Sequence, residues 1–258
     1  MDCARRVCLA NSLMIPILKE LIPDGTEYGN ILLAEFEPAS IWFDASVSVA
    51  AQALRNRIKT DYHTFQRDPD EIAHAIARFG LDVQKLQEDG LFRIIDSYTV
   101  QTKWGEPKRP NTPGRFFQST TQSVNLSDWS VAATQAMKQT IKTDVPDLET
   151  RRFHIDDDTS VLLQYNAEKV FIDYWRTRVL PGARALGSVF LFAALVGVYS
   201  EAFYKQFESL CDGIIEFKRE ETGELRNLVM VKAMRGRKYD SQWHRLMVGD
   251  NLEVTLEK

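Results

Sequence analysis

Residues 29–43 have the layout of a loop that cradles phosphates, but they lack the side chains that such a loop uses. An apolar run from Ile31 to Ala34 predicts a strand, and an alanine-rich helix is predicted from Asp44. A working loop needs glycines for close backbone approach, a lysine for the phosphate charge and a hydroxyl for Mg²⁺. The residues at this turn are instead Pro38, Ala39, Ser40, Ile41, Trp42 and Phe43.

Each position of that loop carries a substitution that works against phosphate binding. Ala39 and Ile41 stand at the glycine positions, Trp42 stands at the lysine and Phe43 stands at the hydroxyl. No Gly-Lys-Ser or Gly-Lys-Thr occurs elsewhere in the 258 residues, so the motif has no second copy. We predict that the two aromatic side chains pack where a nucleotide would otherwise lie.

Three consecutive acids follow a predicted strand from Phe153 to Asp156. Asp156 could hold a divalent cation through water, and Asp157 and Asp158 extend the acidic run. The alternative, which we favour in the absence of a phosphate site, is an acidic turn at the end of a strand. Carboxylates this close together raise one another's pKa unless they are solvated or paired.

Two further segments carry charges that could bind a ligand. Lys232 and Arg235 belong to a basic cluster, which is either a solvated face or a site for an anion or an acidic partner. Residues 101–124 form a predicted long loop or insertion in which cations alternate with aromatic residues. Such a loop could stack single-stranded bases, dock a protein or fold back on the core.

Composition narrows the class of protein. The chain is 44% apolar, with a net charge of −4 and a pI near 5.7, so no overall basic field favours nucleic acid. Three cysteines show no metal-ligand spacing, and we expect reduced thiols in the cytoplasm. No signal peptide is evident at the N-terminus. The apolar run 189–199 is too short to span a bilayer and suits a central parallel strand.

The order of elements predicts an α/β fold in one domain, residues 1–258. Strand and helix patterns alternate as far as Leu210, and short β runs then follow from Gly213. This order indicates a mainly parallel sheet, flanked by helices, with an antiparallel extension at its C-terminal end. One long helix is predicted from Ser160 to Leu180, stopped or bent at Pro181-Gly182.

The C-terminal sequence resembles the KaiC-like branch of the RecA superfamily of ATPases. The match consists of an Asp-Gly-Ile-Ile strand from Asp212, a Gly-x-x-Arg turn at 223–226 and a basic strand at 229–236. Ile22-Pro-Asp-Gly25 and Phe79-Gly-Leu-Asp82 resemble further motifs of that family. The resemblance extends over most of the chain, with residues 101–124 least covered, and it implies a RecA-like fold.

The resemblance also assigns roles to positions of this chain. Relatives carry two catalytic glutamates after the second strand, where this chain has Gln66 and Arg67. Asp156 matches the carboxylate that holds Mg²⁺. Lys232 and Arg235 match a pair that reaches a nucleotide of the neighbouring subunit in hexameric relatives. Their spacing is one residue longer here, so the two cannot point as in the family unless a β-bulge intervenes.

These observations predict a catalytically inactive pseudo-ATPase that acts as a protein-interaction or regulatory scaffold without a cofactor. Its expected partner is a protein, such as a related ATPase or a second copy of the chain, and no membrane is involved. One alternative is an ATPase or switch that binds ATP and Mg²⁺ by a non-standard route. The other is a binder of single-stranded DNA similar to recombinase mediators.

Overall fold

A ten-stranded sheet organises the part of the chain that this computed structural model describes, residues 12–98, 116–118, 151–165 and 167–257. Two short strands, β1 (Ser12–Leu13) and β2 (Thr26–Glu27), pair with each other outside it. The strands of the large sheet are β3 (Ile31–Phe36), β4 (Thr60–Thr64), β5 (Phe92–Asp96), β6 (Phe116–Gln118), β7 (Phe153–Asp156), β8 (Val189–Leu195), β9 (Gly213–Thr222), β10 (Glu224–Met234), β11 (His244–Val248) and β12 (Val254–Leu256).

Their order across the sheet is β12-β11-β10-β9-β3-β8-β7-β4-β5-β6. The pairs from β9 to β6 are parallel, whereas β9 to β12 are joined by antiparallel pairing. The predicted mainly parallel sheet with an antiparallel C-terminal extension is therefore confirmed. Strand β8 lies between β3 and β7. Because these strands are parallel, the loop after β3 and the acids that follow His154 lie at the same end of the strands, with one strand between them.

Helices connect the parallel strands. They are α1 (Pro16–Leu21), α2 (Trp42–Arg55), α3 (Pro69–Ala77), α4 (Val83–Glu88), α5 (Glu168–Tyr174), α6 (Leu180–Leu186) and α7 (Glu201–Leu210), with a 3₁₀ helix at Thr159–Tyr165 and a π-helix at Trp175–Val179. Asp68 and Ser200 cap α3 and α7 by accepting backbone N–H groups of the first turn. Helix α2 begins at Trp42, two residues before the Asp44 cap that the sequence predicts, and Asp44 lies in its first turn.

The central strands are buried on both faces, which divides the core in two. On β3, Leu32 and Ala34 belong to a core that includes α2, whereas Ile31 and Leu33 belong to a core that includes α5 and α7. This division follows from the strand period of two, because successive side chains point to opposite faces. A run of apolar residues is therefore required at β3 and β8, as the sequence indicates.

Two local predictions differ from the structure. The helix predicted from Ser160 to Leu180 starts differently, because Thr159–Tyr165 is a 3₁₀ helix and the α-helix begins only at Glu168. Helical structure does not stop at Pro181 but continues to Leu186 and ends at Gly187, whose φ is 60°. Pro181 lies in the first turn of α6, directly after the π-helical residues, where its missing N–H is tolerated. Within the predicted loop 101–124, residues 116–118 form strand β6 at the sheet edge, and the remainder lies outside the described residues.

Among the described residues, none of the helices has the length and apolar character needed to cross a bilayer.

Gly213 provides a test of how closely β9 packs. A Cβ atom there would lie 2.7 Å from Leu32 Cδ2 and 2.6 Å from Met234 Sδ. We expect Gly213→Ala to lower the free energy of unfolding by about 1–3 kcal/mol, because the buried Leu32 has to move. Denaturant unfolding of the full chain measures this change.

Gly182→Ala is the matched control, because no described atom lies within 4 Å of its added Cβ in α6. Alanine favours a helix over glycine, so this variant should be unchanged or more stable by up to about 1 kcal/mol. Equal destabilisation by the two substitutions would contradict the close approach at Gly213.

Candidate functional site

The turn between β3 and α2 contains one residue in the left-handed backbone region. Strand β3 ends at Phe36 and α2 begins at Trp42, so the strand, turn and helix follow in the predicted order. Ala39 has a φ of 63°, in the left-handed region that glycine adopts most readily. The turn therefore retains a glycine-type conformation at a predicted glycine position, although an alanine occupies it. Ser40 Oγ is shielded there and has no hydrogen-bond partner among the described residues.

The side chain of Trp42 is buried at the ends of β3 and β7. Its side chain is only 3% exposed and lies against Phe36, with ring centroids 6.1 Å apart, and against Phe217, at 4.9 Å. Its Nε1 donates a hydrogen bond of 2.7 Å to the carbonyl oxygen of Asp157, just after β7. The indole thus spans from β9 and β3 to the end of β7, at the position where the sequence pattern expects a lysine.

Arg67 and Gln66, the two positions matched to catalytic glutamates, contact Phe43 and Asp158. The Arg67 guanidinium lies 3.9 Å from the centroid of the Phe43 ring, a cation–π contact. Gln66 Nε2 donates to Asp158 Oδ2 at 2.9 Å. An amide is a poor base and a guanidinium stays protonated, so neither side chain can activate a water molecule as a carboxylate would.

Asp156 faces away from the loop. It pairs in register with His63 on β4, while the preceding pair, Ile155 and Tyr62, packs toward α2. Its Oδ1 lies 2.8 Å from His154 Nε2 and 3.2 Å from His63 Nδ1. Burial raises the pKa of Asp156, but the charges and hydrogen bonds of the two histidines outweigh burial and lower it to about 2.

Asp157, one residue later, is the acid on the loop side of the strand. Its carboxyl accepts hydrogen bonds from Phe65 N at 2.7 Å, Thr64 Oγ1 at 2.9 Å and Gln66 N at 3.4 Å. Burial raises the pKa of Asp157 to about 7, against the effect of these donors. Burial also raises the pKa of Asp158. The predicted repulsion between neighbouring acids is a smaller cause: the Asp158 charge raises the pKa of Asp157, but burial raises it more.

Lys232 lies in a β-bulge, the condition under which the longer spacing to Arg235 can be accommodated. The pairing of β9 with β10 shifts between Val231 and Ala233. Lys232 Nζ contacts Glu208 at 2.8 Å, Glu216 at 3.1 Å and Glu35 at 3.3 Å. Its charge is thus compensated within the chain.

These contacts shift the pKa values of both partners. Burial raises the pKa of Glu35 to about 7, and the nearby Lys232 charge only partly offsets this. Burial opposes the charge of Lys232, but hydrogen bonds to Glu208 and Glu216 outweigh it and raise its pKa. Arg235 donates to the backbone carbonyl of Ser209 at 2.7 Å, with a side chain 58% exposed.

A layer of buried polar groups on β4, β5 and β7 is not predicted as a unit. Asp61 accepts hydrogen bonds from Arg93 Nε and Arg152 Nε, both at 2.6 Å. Burial raises the pKa of Asp61, but these two cations outweigh it and hold the pKa well below its usual range. The sequence signal for this layer is the alternation of Asp61 with His63 on β4 and of His154 with Asp156 on β7.

Comparison with known proteins gives a consistent result. The family described as "ATPase: KaiC" matches residues 49–257. The UPF0273 proteins of Pyrococcus furiosus and Thermotoga maritima are each 24% identical over 238 residues, covering 92% of this chain and 89% and 91% of the relatives. A crystal structure of a KaiC-like protein from Pyrococcus horikoshii matches with a TM-score of 0.65 at 18% identity, covering 95% of this chain and 96% of that one.

Trp42 gives the first test of this site. We expect Trp42→Ala to lower the free energy of unfolding by about 3–5 kcal/mol through the loss of a buried indole. Trp42→Phe keeps an aromatic ring but loses the hydrogen bond to Asp157, and should cost about 1 kcal/mol beyond repacking. Trp243→Ala is the control, since that side chain is 37% exposed and contacts Lys218 Nζ 4.0 Å from its ring centroid, and its loss should be smaller, about 1–2 kcal/mol. Equal losses of unfolding free energy in Trp42→Ala and Trp243→Ala would contradict the prediction that the buried Trp42 side chain stabilises the fold more.

Lys232 gives a second test, in which pH sets the size of the effect. A carboxyl with a raised pKa favours the fold while protonated, so the Glu35 contribution falls as pH rises from about 4.5 to about 7. In Lys232→Met the ionised Glu35 is unpaired above this window. We expect a stability loss of about 1–2 kcal/mol at pH 8, moderated because Lys232 is 38% exposed, and a smaller loss at pH 5.

Unfolding free energies of Lys232→Met and wild type at both pH values measure this difference. Arg235→Met is the matched control, because its side chain is largely exposed, and it should change stability by less than about 0.5 kcal/mol at either pH. A pH-independent effect of Lys232→Met would rule out the pairing with Glu35.

Proposed function

We propose, from the premise that this chain belongs to the KaiC family of ATPases, that it is a member without ATPase activity that acts as a scaffold for protein partners. The observation that carries this proposal is the buried indole of Trp42. It occupies the lysine position of the loop and is fixed by its hydrogen bond to Asp157. A side chain held in this way leaves the loop without a cation for phosphates.

The residues at the loop do not fit an ATP–Mg²⁺ complex bound in the usual manner. Phe43 has no hydroxyl for Mg²⁺, and Asp156 points to the opposite side of the sheet. The carboxyl of Asp157 already accepts three hydrogen bonds from β4 and the residues after it. Gln66 and Arg67 supply no base for hydrolysis. We therefore derive no catalytic step for this site.

A scaffold acts through its surface, and the C-terminal strands offer apolar surface for a protein partner. The exposed side chains on β10 and β11 include Leu225, Met247 and Val248. When exposed apolar side chains form a contiguous patch, that patch commonly marks a contact with another protein. The partner class that we propose is a related ATPase or a second copy of this chain, and not a membrane.

A second candidate function rests on Ala39 and Arg67. The left-handed turn at Ala39 keeps the frame of a phosphate loop, and Arg67 places a cation beside the start of α2. Backbone N–H groups and a positive charge at a helix N-terminus favour anions. An altered nucleotide site that uses Arg67 is thus the rival to an inactive scaffold.

Nucleotide binding separates the two candidates. We expect no change in the melting temperature of the full chain with millimolar ATP and Mg²⁺, and no change in mass by light scattering. A ligand at about 100 times its dissociation constant adds roughly 2.7 kcal/mol, or a shift of roughly 5–10 °C for a chain of this size. A KaiC-type ATPase with an intact loop, measured in parallel, shows that the assay detects binding.

Mg²⁺ alone and inorganic phosphate are the ligand controls. A rise in melting temperature that depends on ATP concentration and disappears in Arg67→Ala would establish the altered nucleotide site instead. A rise that persists in Arg67→Ala would overturn both assignments of the loop.

A further inference from the structure

His63, His154 and Asp156 meet on the sheet face opposite α2. His63 and Asp156 are register partners on the neighbouring strands β4 and β7, and His154 precedes Asp156 by two residues on the same face. Each side chain offers one ligand atom, and these three atoms lie within 4.8 Å of one another. All three residues are buried, at 6% exposure or less. We propose that they form a site for a transition-metal ion, with Zn²⁺ as its reference occupant.

The spacing of the ligand atoms suits such an ion. Zn²⁺ binds nitrogen and oxygen at about 2.0–2.2 Å, so two ligands in tetrahedral geometry lie about 3.3 Å apart. His63 Nδ1 lies 3.2 Å from Asp156 Oδ1, and His154 Nε2 lies 2.8 Å from it. The first separation fits directly, and the second requires the histidine to move by about half an ångström.

An uncompensated oxygen points to a missing ligand. Asp156 is 1% exposed, and its Oδ2 has no hydrogen-bond partner among the described residues. A buried acceptor without a partner is costly, and the cost is larger for a charged group. The shorter separation, between His154 and Asp156, is itself a hydrogen bond. A metal ion bound through both oxygens of Asp156 would replace that contact and also compensate the second oxygen.

The surroundings of His63 have the arrangement that orients a metal ligand, and His154 has a carboxylate nearby. His63 Nε2 lies 2.7 Å from Ser97 Oγ, which leaves Nδ1 directed toward Asp156. On the other histidine, Nδ1 faces Asp61 Oδ2 at 3.8 Å, which is beyond hydrogen-bond distance, and it has no hydrogen-bond partner among the described residues. A histidine that ligates a metal through one nitrogen commonly directs the other to a carboxylate or a similar acceptor.

The ligand types select the class of ion. Two imidazoles with one carboxylate suit Zn²⁺ and other late divalent metals, whereas Mg²⁺ and Ca²⁺ prefer oxygen ligands. The site lies on the face opposite Trp42, so it is separate from the loop after β3. Its burial favours a structural role, with the ion bound as the chain folds. This inference does not depend on the proposed absence of ATPase activity.

Metal content and cobalt spectroscopy test the site in the full chain. We expect about one Zn²⁺ per chain after expression with added zinc, and about one Co²⁺ per chain after chelation, unfolding and refolding with cobalt. Bound Co²⁺ should show visible d–d absorption of a low-coordinate nitrogen and oxygen site. If the wild-type chain binds neither Zn²⁺ after expression nor Co²⁺ after refolding, the proposal is wrong.

Two variants locate the ion. Asp156→Asn removes a charged ligand at constant size and His63→Gln removes an imidazole, so each should lower affinity for Zn²⁺ at least tenfold. His74→Gln is the matched control, because His74 is exposed on α3, and it should leave metal content unchanged. An equal loss of metal in His74→Gln, or full retention in both site variants, would also overturn the assignment. If the site variants do not fold, the wild-type measurements decide alone.

Discussion

The alternation of side chains along β7 separates the two sites of this molecule. A parallel strand buried on both faces sends neighbouring residues to opposite sides of the sheet. Asp156 therefore joins His63 and His154, whereas Asp157 lies at the loop edge and offers its carbonyl to Trp42. A shift of β7 by one residue would exchange the two acids and disrupt both arrangements. Which residues meet at each site therefore depends on the register of β7 with β4.

Charged and aromatic groups that could face a nucleotide are instead satisfied within the chain. Trp42 bonds to the backbone after β7, Arg67 lies over Phe43, and Lys232 contacts three glutamates. Each contact lowers the free energy of the arrangement that the structure shows, and a ligand that bound one of these groups would have to replace its contact. Buried polar groups are costly when unpaired, so these pairings stabilise the arrangement of the loop that the structure shows.

The sequence predicts the frame better than it predicts the contacts. The period of two, the turn signals and the order of elements are local, and they indicate the mixed sheet, the strand before the loop and the β-rich tail. The contact between Trp42 and Asp157 joins residues 115 positions apart, and that between Lys232 and Glu35 joins residues 197 apart. No local pattern specifies which distant carbonyl or carboxylate a side chain will meet. Alignment alone also cannot distinguish Asp156 from Asp157, because a single residue changes the face.

Ala39 gives the turn after β3 a left-handed residue without a glycine. Ala39 lies in the turn that leads β3 into α2, and α2 contributes most of its residues to the core on that face. An alanine accepts this conformation at a cost of about 1–2 kcal/mol, which core packing can offset. Trp42 adds packing at the position where a phosphate loop has a lysine, because its indole is 3% exposed and lies against Phe36 and Phe217. Folding therefore gains from the turn and from the aromatic side chain at position 42, whether or not the loop binds a phosphate.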